Sequence, residues 1–150
     1  MRILLLAILL TLSAAAGSKA QVLMSGDVDF FIHGSRLRVF IEEITNLGDE
    51  TTGRLRLTMW ASEDRWREFD RGRLIGFSLL PRLRPHQDLD DLRRTLHFDR
   101  PPTDWYYVTL TLEERVFDDE GNPRWEIRDV VEFDGQYYIR RGWDHWAFPF

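Results

Sequence analysis

With 150 residues, 43% of them apolar and 13% aromatic, the chain carries enough core-forming side chains for one folded domain, which excludes a disordered tail. Setting aside Arg2 and Lys19 leaves 18 arginines and no lysine against 25 acids from Gln21 onward, a net of −7 that disfavours a nucleic-acid binder with its basic face. The absence of cysteine excludes a disulfide scaffold and a lipid anchor on a cysteine thiol, and an exported chain of this kind fits a bacterial compartment best.

In chain order, residues 1–20 read as a cleaved secretory signal. Arg2 gives a positive start, residues 3–12 are a continuous apolar run, and Ser18 and Ala20 put small residues where a signal peptidase reads. The run is shorter than the ~20 residues of a bilayer span. The expected mature chain therefore begins at Gln21, with a β-sandwich domain over 21–142, an aromatic C-terminal tail over 143–150, and a secreted or periplasmic location.

Val28, Phe30 and Ile32 alternate with Asp27, Asp29 and Phe31, the period of a half-buried strand. After a Gly34-Ser35 turn, Leu37, Val39 and Ile41 alternate with Arg38, Phe40 and Glu42, and the reversed parity at Glu43 and Ile44 predicts a bulge near that strand's end. Residues 46–53 form a loop whose Gly and Asn are expected to supply positive φ. In the next strand Leu55, Leu57, Met59 and Ala61 face the core, and Arg54, Arg56, Thr58 and Trp60 face away. Residues 62–73 are a charged connection with room for one helical turn, and 73–81 form a strand. Leu89, Leu92 and Leu96 fit a helix or a strand equally. Residues 105–116 are the strongest strand in the chain. A hairpin turn at 118–123 follows, then a returning strand carrying Trp125, Ile127, Val131 and Phe133, then a short strand over 136–141.

Ile44-Thr45-Asn46-Leu47-Gly48-Asp49-Glu50-Thr51 resembles the strand end and Asn-x-Gly turn of CARDB-type domains, the immunoglobulin-like adhesion modules of bacterial surface proteins. Pro101-Pro102-Thr103-Asp104-Trp105-Tyr106-Tyr107-Val108 resembles the entry to the penultimate strand of such sandwiches, with Tyr106 placed like a tyrosine-corner residue two positions before an inward Val108. The resemblance covers residues 27–134 and implies an all-β, antiparallel immunoglobulin-like β-sandwich of about seven to eight strands. Domains of that family usually occur as several in a long chain, whereas this sequence shows one, with an added aromatic tail.

Markers of catalysis are sparse. His33, His86, His97 and His145 are scattered without metal-site spacing, and there is neither a cysteine nor a Gly-x-Ser-x-Gly elbow. Glu42-Glu43, Asp90-Asp91 and Glu113-Glu114 are adjacent, so on strands their carboxylates diverge, and they read as solvated surface. The acidic turn at 118–122 reads as a hairpin turn, with calcium a weaker alternative, and no cofactor or metal is expected. Tryptophan is the more pointed signal. Trp60, Trp66, Trp105, Trp143 and Trp146, with Tyr107, are the candidate binding residues, because several fall off the core parity where ring faces can stack on a sugar or a protein. The tail at 143–150 is expected to pack back over the sandwich or to pair with a partner's sheet edge. Pro149 and the charges in other strands argue against a membrane barrel.

The expected function is an exported, non-catalytic binding or adhesion module that recognises a protein or polysaccharide at the bacterial envelope. The alternative is a small exported hydrolase using acids with His33 or His97.

Overall fold

The computed structural model describes residues 21–67 and 70–140. The expected signal at 1–20 and tail at 143–150, with Trp143, Trp146 and His145, lie outside those residues. The described chain is all-β. Its strands are β1 (Val22–His33), β2 (Arg36–Asn46), β3 (Leu55–Ser62), β4 (Arg73–Leu80), β5 (Asp88–Phe98), β6 (Asp104–Phe117), β7 (Pro123–Glu132) and β8 (Tyr137–Ile139). Seven of them form one antiparallel sheet in the order β1-β2-β5-β4-β3-β6-β7, curled into a half-barrel, and β8 adds to the start of β6. Among the described residues no helix is long and apolar enough to cross a membrane.

The curl follows from the alternating pattern, which sends one apolar set inward from each strand. Leu37, Val39 and Ile41 of β2 meet Leu55, Leu57 and Met59 of β3 and Val108, Leu110 and Leu112 of β6 in a single buried cluster. Each such side chain contributes about 1.5–3 kcal/mol of burial. The joint between β4 and β5 is narrow: only Gly76 with Phe98 and Phe77 with His97 are in register.

Segment 89–96, open between helix and strand in sequence, lies in β5. Asp91 has φ 49°, and this left-handed residue reverses the side-chain alternation, so that Leu89 and Leu92 both oppose inward residues of β2, Ile44 and Ile41. That reversal produces the helix-like spacing. The bulge expected in β2 at Glu43 and Ile44 sits instead in β1. Ser25 opposes Glu43 and Val28 opposes Ile41, giving β1 the extra residue, with Gly26 at φ 70° and the Asp27 amide donating to Glu42 Oε2 at 2.8 Å. In the charged connection no helical turn is found among the described residues, and Arg67 and Asp70 bridge instead.

The loop at 46–53 is ordered by Asn46, which is fully buried. Its amide Nδ2 donates to the carbonyls of Glu50 at 2.8 Å and Arg84 at 3.0 Å, while Oδ1 accepts from the Gly48 amide at 3.1 Å. It thereby ties the β2–β3 loop to the β4–β5 loop. Gly48 and Gly53 do not have positive φ, contrary to the sequence expectation. Gly53 is needed for close approach, since a Cβ there would sit on the Arg115 carbonyl oxygen.

At the start of β6 the Tyr106 hydroxyl donates to the Pro102 carbonyl at 3.0 Å, and Val108 two residues on is buried. Burial, helped by the Asp104 carboxylate, raises the Tyr106 pKa. The open sides of the half-barrel, β1 and β7, approach each other without a backbone ladder. Met24 N–H donates to Asp129 Oδ2 at 2.7 Å, Val130 N–H to Asp129 Oδ1 at 2.8 Å, and Phe30 N–H to Asp29 Oδ1 at 2.7 Å. Inside this seam Phe30 packs on Phe133 and Tyr137, with ring centroids 4.6 and 4.9 Å apart.

Candidate functional site

Two outward faces of the half-barrel combine aromatic rings with arginines. The first runs along β6, where alternation turns Trp105, Tyr107, Thr109, Thr111 and Glu113 away from the core. The register sets these opposite Tyr138, Ser62, Trp60, Thr58 and Arg56. Four of the candidate residues, Trp60, Trp66, Trp105 and Tyr107, therefore come to one side of one sheet. Their environments differ, and the difference decides which can meet a ligand.

Trp60 is half-buried and already partnered. Its Nε1–H donates to Thr111 Oγ1 at 3.0 Å, Trp66 lies at a centroid distance of 6.2 Å, and the Arg71 guanidinium is 5.7 Å from its ring. Thr111 in turn donates to Glu113 Oε1 at 2.9 Å, and Glu113 Oε2 receives Arg56 Nε at 2.6 Å. Arg56 then spans to Trp125, 4.3 Å from the ring centroid, a cation–π contact worth about 0.5–2 kcal/mol. Trp60 and Trp66 thus clamp the charged connection onto the sheet. Tyr107 is half-buried beneath Arg65 at 5.4 Å.

Glu113 and Glu114 do point to opposite sides of β6, but they are not the solvated pair that their sequence suggests. Glu113 is 0% exposed in the layer just described. Glu114 is 4% exposed on the inner side, where it accepts from the Gly53 amide at 2.5 Å and from Arg128 Nε at 2.7 Å. Both carboxylates are held by arginine. Among the described residues, the histidine–carboxylate contact at hydrogen-bond distance is His86 with Asp49, 3.1 Å apart on exposed loops. At the β6–β7 turn, Asp118 accepts the amides of Glu120 and Asn122 at 3.0 and 2.8 Å. The Asn122 backbone N–H is the main reason its carboxyl lies below the usual range. That carboxylate serves as the turn's cap, and no cluster of metal-ligating side chains occurs among the described residues.

Trp105 differs from Trp60. It is 37% exposed and pairs with Tyr138, 40% exposed, at a centroid distance of 5.2 Å, so this pair is a partly exposed aromatic platform. The Arg100 guanidinium donates to the Arg140 carbonyl at the end of this region and to the Gly34 carbonyl of the β1–β2 turn, tying the platform to the second face.

That second face is the outward side of β1, β2 and β5. A shallow groove of about 570 Å³ runs over Phe31, Phe40, Arg38, Arg93 and Thr95, with Asp29 at its side. Phe31 opposes Arg38, and Phe40 opposes Arg93, whose guanidinium lies 5.6 Å from the Phe40 ring. Phe31 is 39% exposed, with His33 near-parallel to it at 6.2 Å. Selecting tryptophans misses this groove. Its sequence signal is Phe31 and Phe40, both off the core parity and both beside arginines in the folded register.

No family model, curated protein or solved structure matches the chain.

Proposed function

We propose that the chain is an exported, non-catalytic binding module with an immunoglobulin-like β-sandwich fold, which recognises a protein or polysaccharide at the bacterial envelope. The sandwich reading is supported by the strand order, because within the one curled sheet only two residue pairs join β4 to β5, a joint at which β1-β2-β5 can stack over β4-β3-β6-β7. The Tyr106 hydroxyl bonded to the Pro102 carbonyl, four residues back at the start of the penultimate long strand, supports the same reading and the CARDB resemblance. Export is supported by the apolar run at 3–12 and the small residues at 18 and 20.

The observation that carries binding is the groove over Phe31 and Phe40. Its volume lies within the ~300–1,000 Å³ of ligand sites, and its rings flanked by guanidinium groups offer apolar contact with polar orientation. The test is co-sedimentation of the purified full chain with isolated bacterial sacculi and with outer-membrane vesicles. The wild type is expected in the pellet of one of them, and the double variant F31S/F40S in the supernatant. Equal pelleting of both proteins, or of neither, refutes the reading.

A further inference from the structure

We infer that the groove on β1, β2 and β5 takes a carboxylate-bearing polysaccharide. This rests on the binding reading above and narrows its ligand. The groove floor lies on a sheet face centred on β2, with the edge strand β1 along one side of it. β2 is laddered on one side to β1 and on the other to β5, so its amides and carbonyls are already spent. A peptide strand recognised through its main chain needs a free edge, and none borders this floor along β2. Recognition over β2 therefore falls to side chains.

Those side chains repeat one unit. Phe31 is set opposite Arg38, and Phe40 opposite Arg93, so an aromatic residue and an arginine are cross-strand neighbours twice, with the Arg93 guanidinium 5.6 Å from the Phe40 ring centroid. The second unit is displaced by two residues along β2, about 7 Å, and by one strand across. A uronic sugar presents the same two features in each ring: an apolar face of C–H groups and a carboxylate at its rim. The ring of Phe31 or Phe40 covers the first, and a guanidinium forks onto the second. The groove is open, with Arg38, Arg93 and Thr95 exposed, so a chain of such sugars runs through it without needing an end. Its outward lining carries Arg38 and Arg93 against the single acid Asp29, in a protein whose net charge is −5. A polyanion repelled by the rest of the surface finds its local attraction there.

The test is titration of the full chain, by calorimetry, with polygalacturonate, fully methyl-esterified polygalacturonate and poly-L-glutamate. Polygalacturonate is expected to bind at least about tenfold more tightly than either comparator, and more weakly as salt rises. The variants R38Q and R93Q, both at exposed positions, should each weaken it by about tenfold with unchanged thermal melting. Equal binding of the methyl ester overturns the charge requirement, and equal binding of poly-L-glutamate overturns the sugar requirement; both leave a binding module standing. Absence of heat with all three overturns the inference, and retention on sacculi or vesicles then separates that failure from failure of the binding reading.

Discussion

Glu113 offers the sharpest test of how the outward layer of β3 and β6 is held together. The change Glu113→Leu removes a carboxylate that is 0% exposed and that accepts from Arg56 at 2.6 Å and from Thr111 at 2.9 Å. It strands the Arg56 guanidinium, whose side chain is only 21% exposed, over the Trp125 ring without a counter-charge. Breaking a buried ion pair on one side costs about 3–5 kcal/mol, which for a domain of this size is a fall in Tm of roughly 10–20 °C. The single change Arg56→Met should cost a similar amount, because it leaves Glu113 buried without its main cation. The double variant E113L/R56M replaces both charges with apolar groups of similar length and should recover most of the loss, a coupling of about 2–4 kcal/mol. Urea denaturation of the wild type, both single variants and the double variant closes the cycle. If the double variant loses the sum of the two single losses, the pair is not coupled, and the layer is held by packing of Trp60 and Trp125 alone.

The two tryptophan environments predict opposite results: Trp60→Ala should cost about 3–5 kcal/mol, and Trp105→Ala about 1 kcal/mol or less, in denaturant melts. Tyr106→Phe removes the hydroxyl bond to Pro102 and should cost about 1 kcal/mol near neutral pH. Because folding raises the Tyr106 pKa above its ordinary 10.0, the corresponding stability is present below pH 10 and lost as pH rises through the folded value. Tyr137, raised by its own burial, should leave a residual alkaline loss in Y106F that disappears only in Y106F/Y137F, read as Tm against pH. Gly53→Ala places a methyl group on the Arg115 carbonyl and should break the hydrogen bond that the Arg115 N–H donates to the Arg54 carbonyl at 2.8 Å, seen as rapid amide exchange at Arg115.

Period-2 alternation made β2, β3 and β6 legible, because their inward residues are apolar and their register is fixed by burial. It failed where the backbone itself reverses the alternation. Asp91 made β5 resemble a helix, and β2 reverses its own alternation between the buried Ile41 and Ile44, opposite the extra residue of β1. The acidic pair Glu113-Glu114 looked solvated because local sequence does not show that Arg56, 57 residues away, and Arg128, 14 away, would cover it. The candidate site was half legible. Trp60, Trp66, Trp105 and Tyr107 do share a face, but which of them stays open depends on how the charged connection folds over β3. Phe31 and Phe40 carried the right parity signal and the wrong prior, since phenylalanine is the commoner core residue.

The carboxylates that hold the amides of Met24, Phe30 and Val130 bear on how this protein behaves in a crowd of its own copies. An edge strand with free amides is a template on which a second chain can lengthen the sheet, and a third on the second. Here Asp29 and Asp129 occupy donors on both margins and add negative charge along them. Growth of one molecule onto another would first have to displace an acid from its own backbone. The half-barrel can therefore stay open, leaving its outward grooves available, without inviting the polymerisation that an unclosed sheet risks at high concentration.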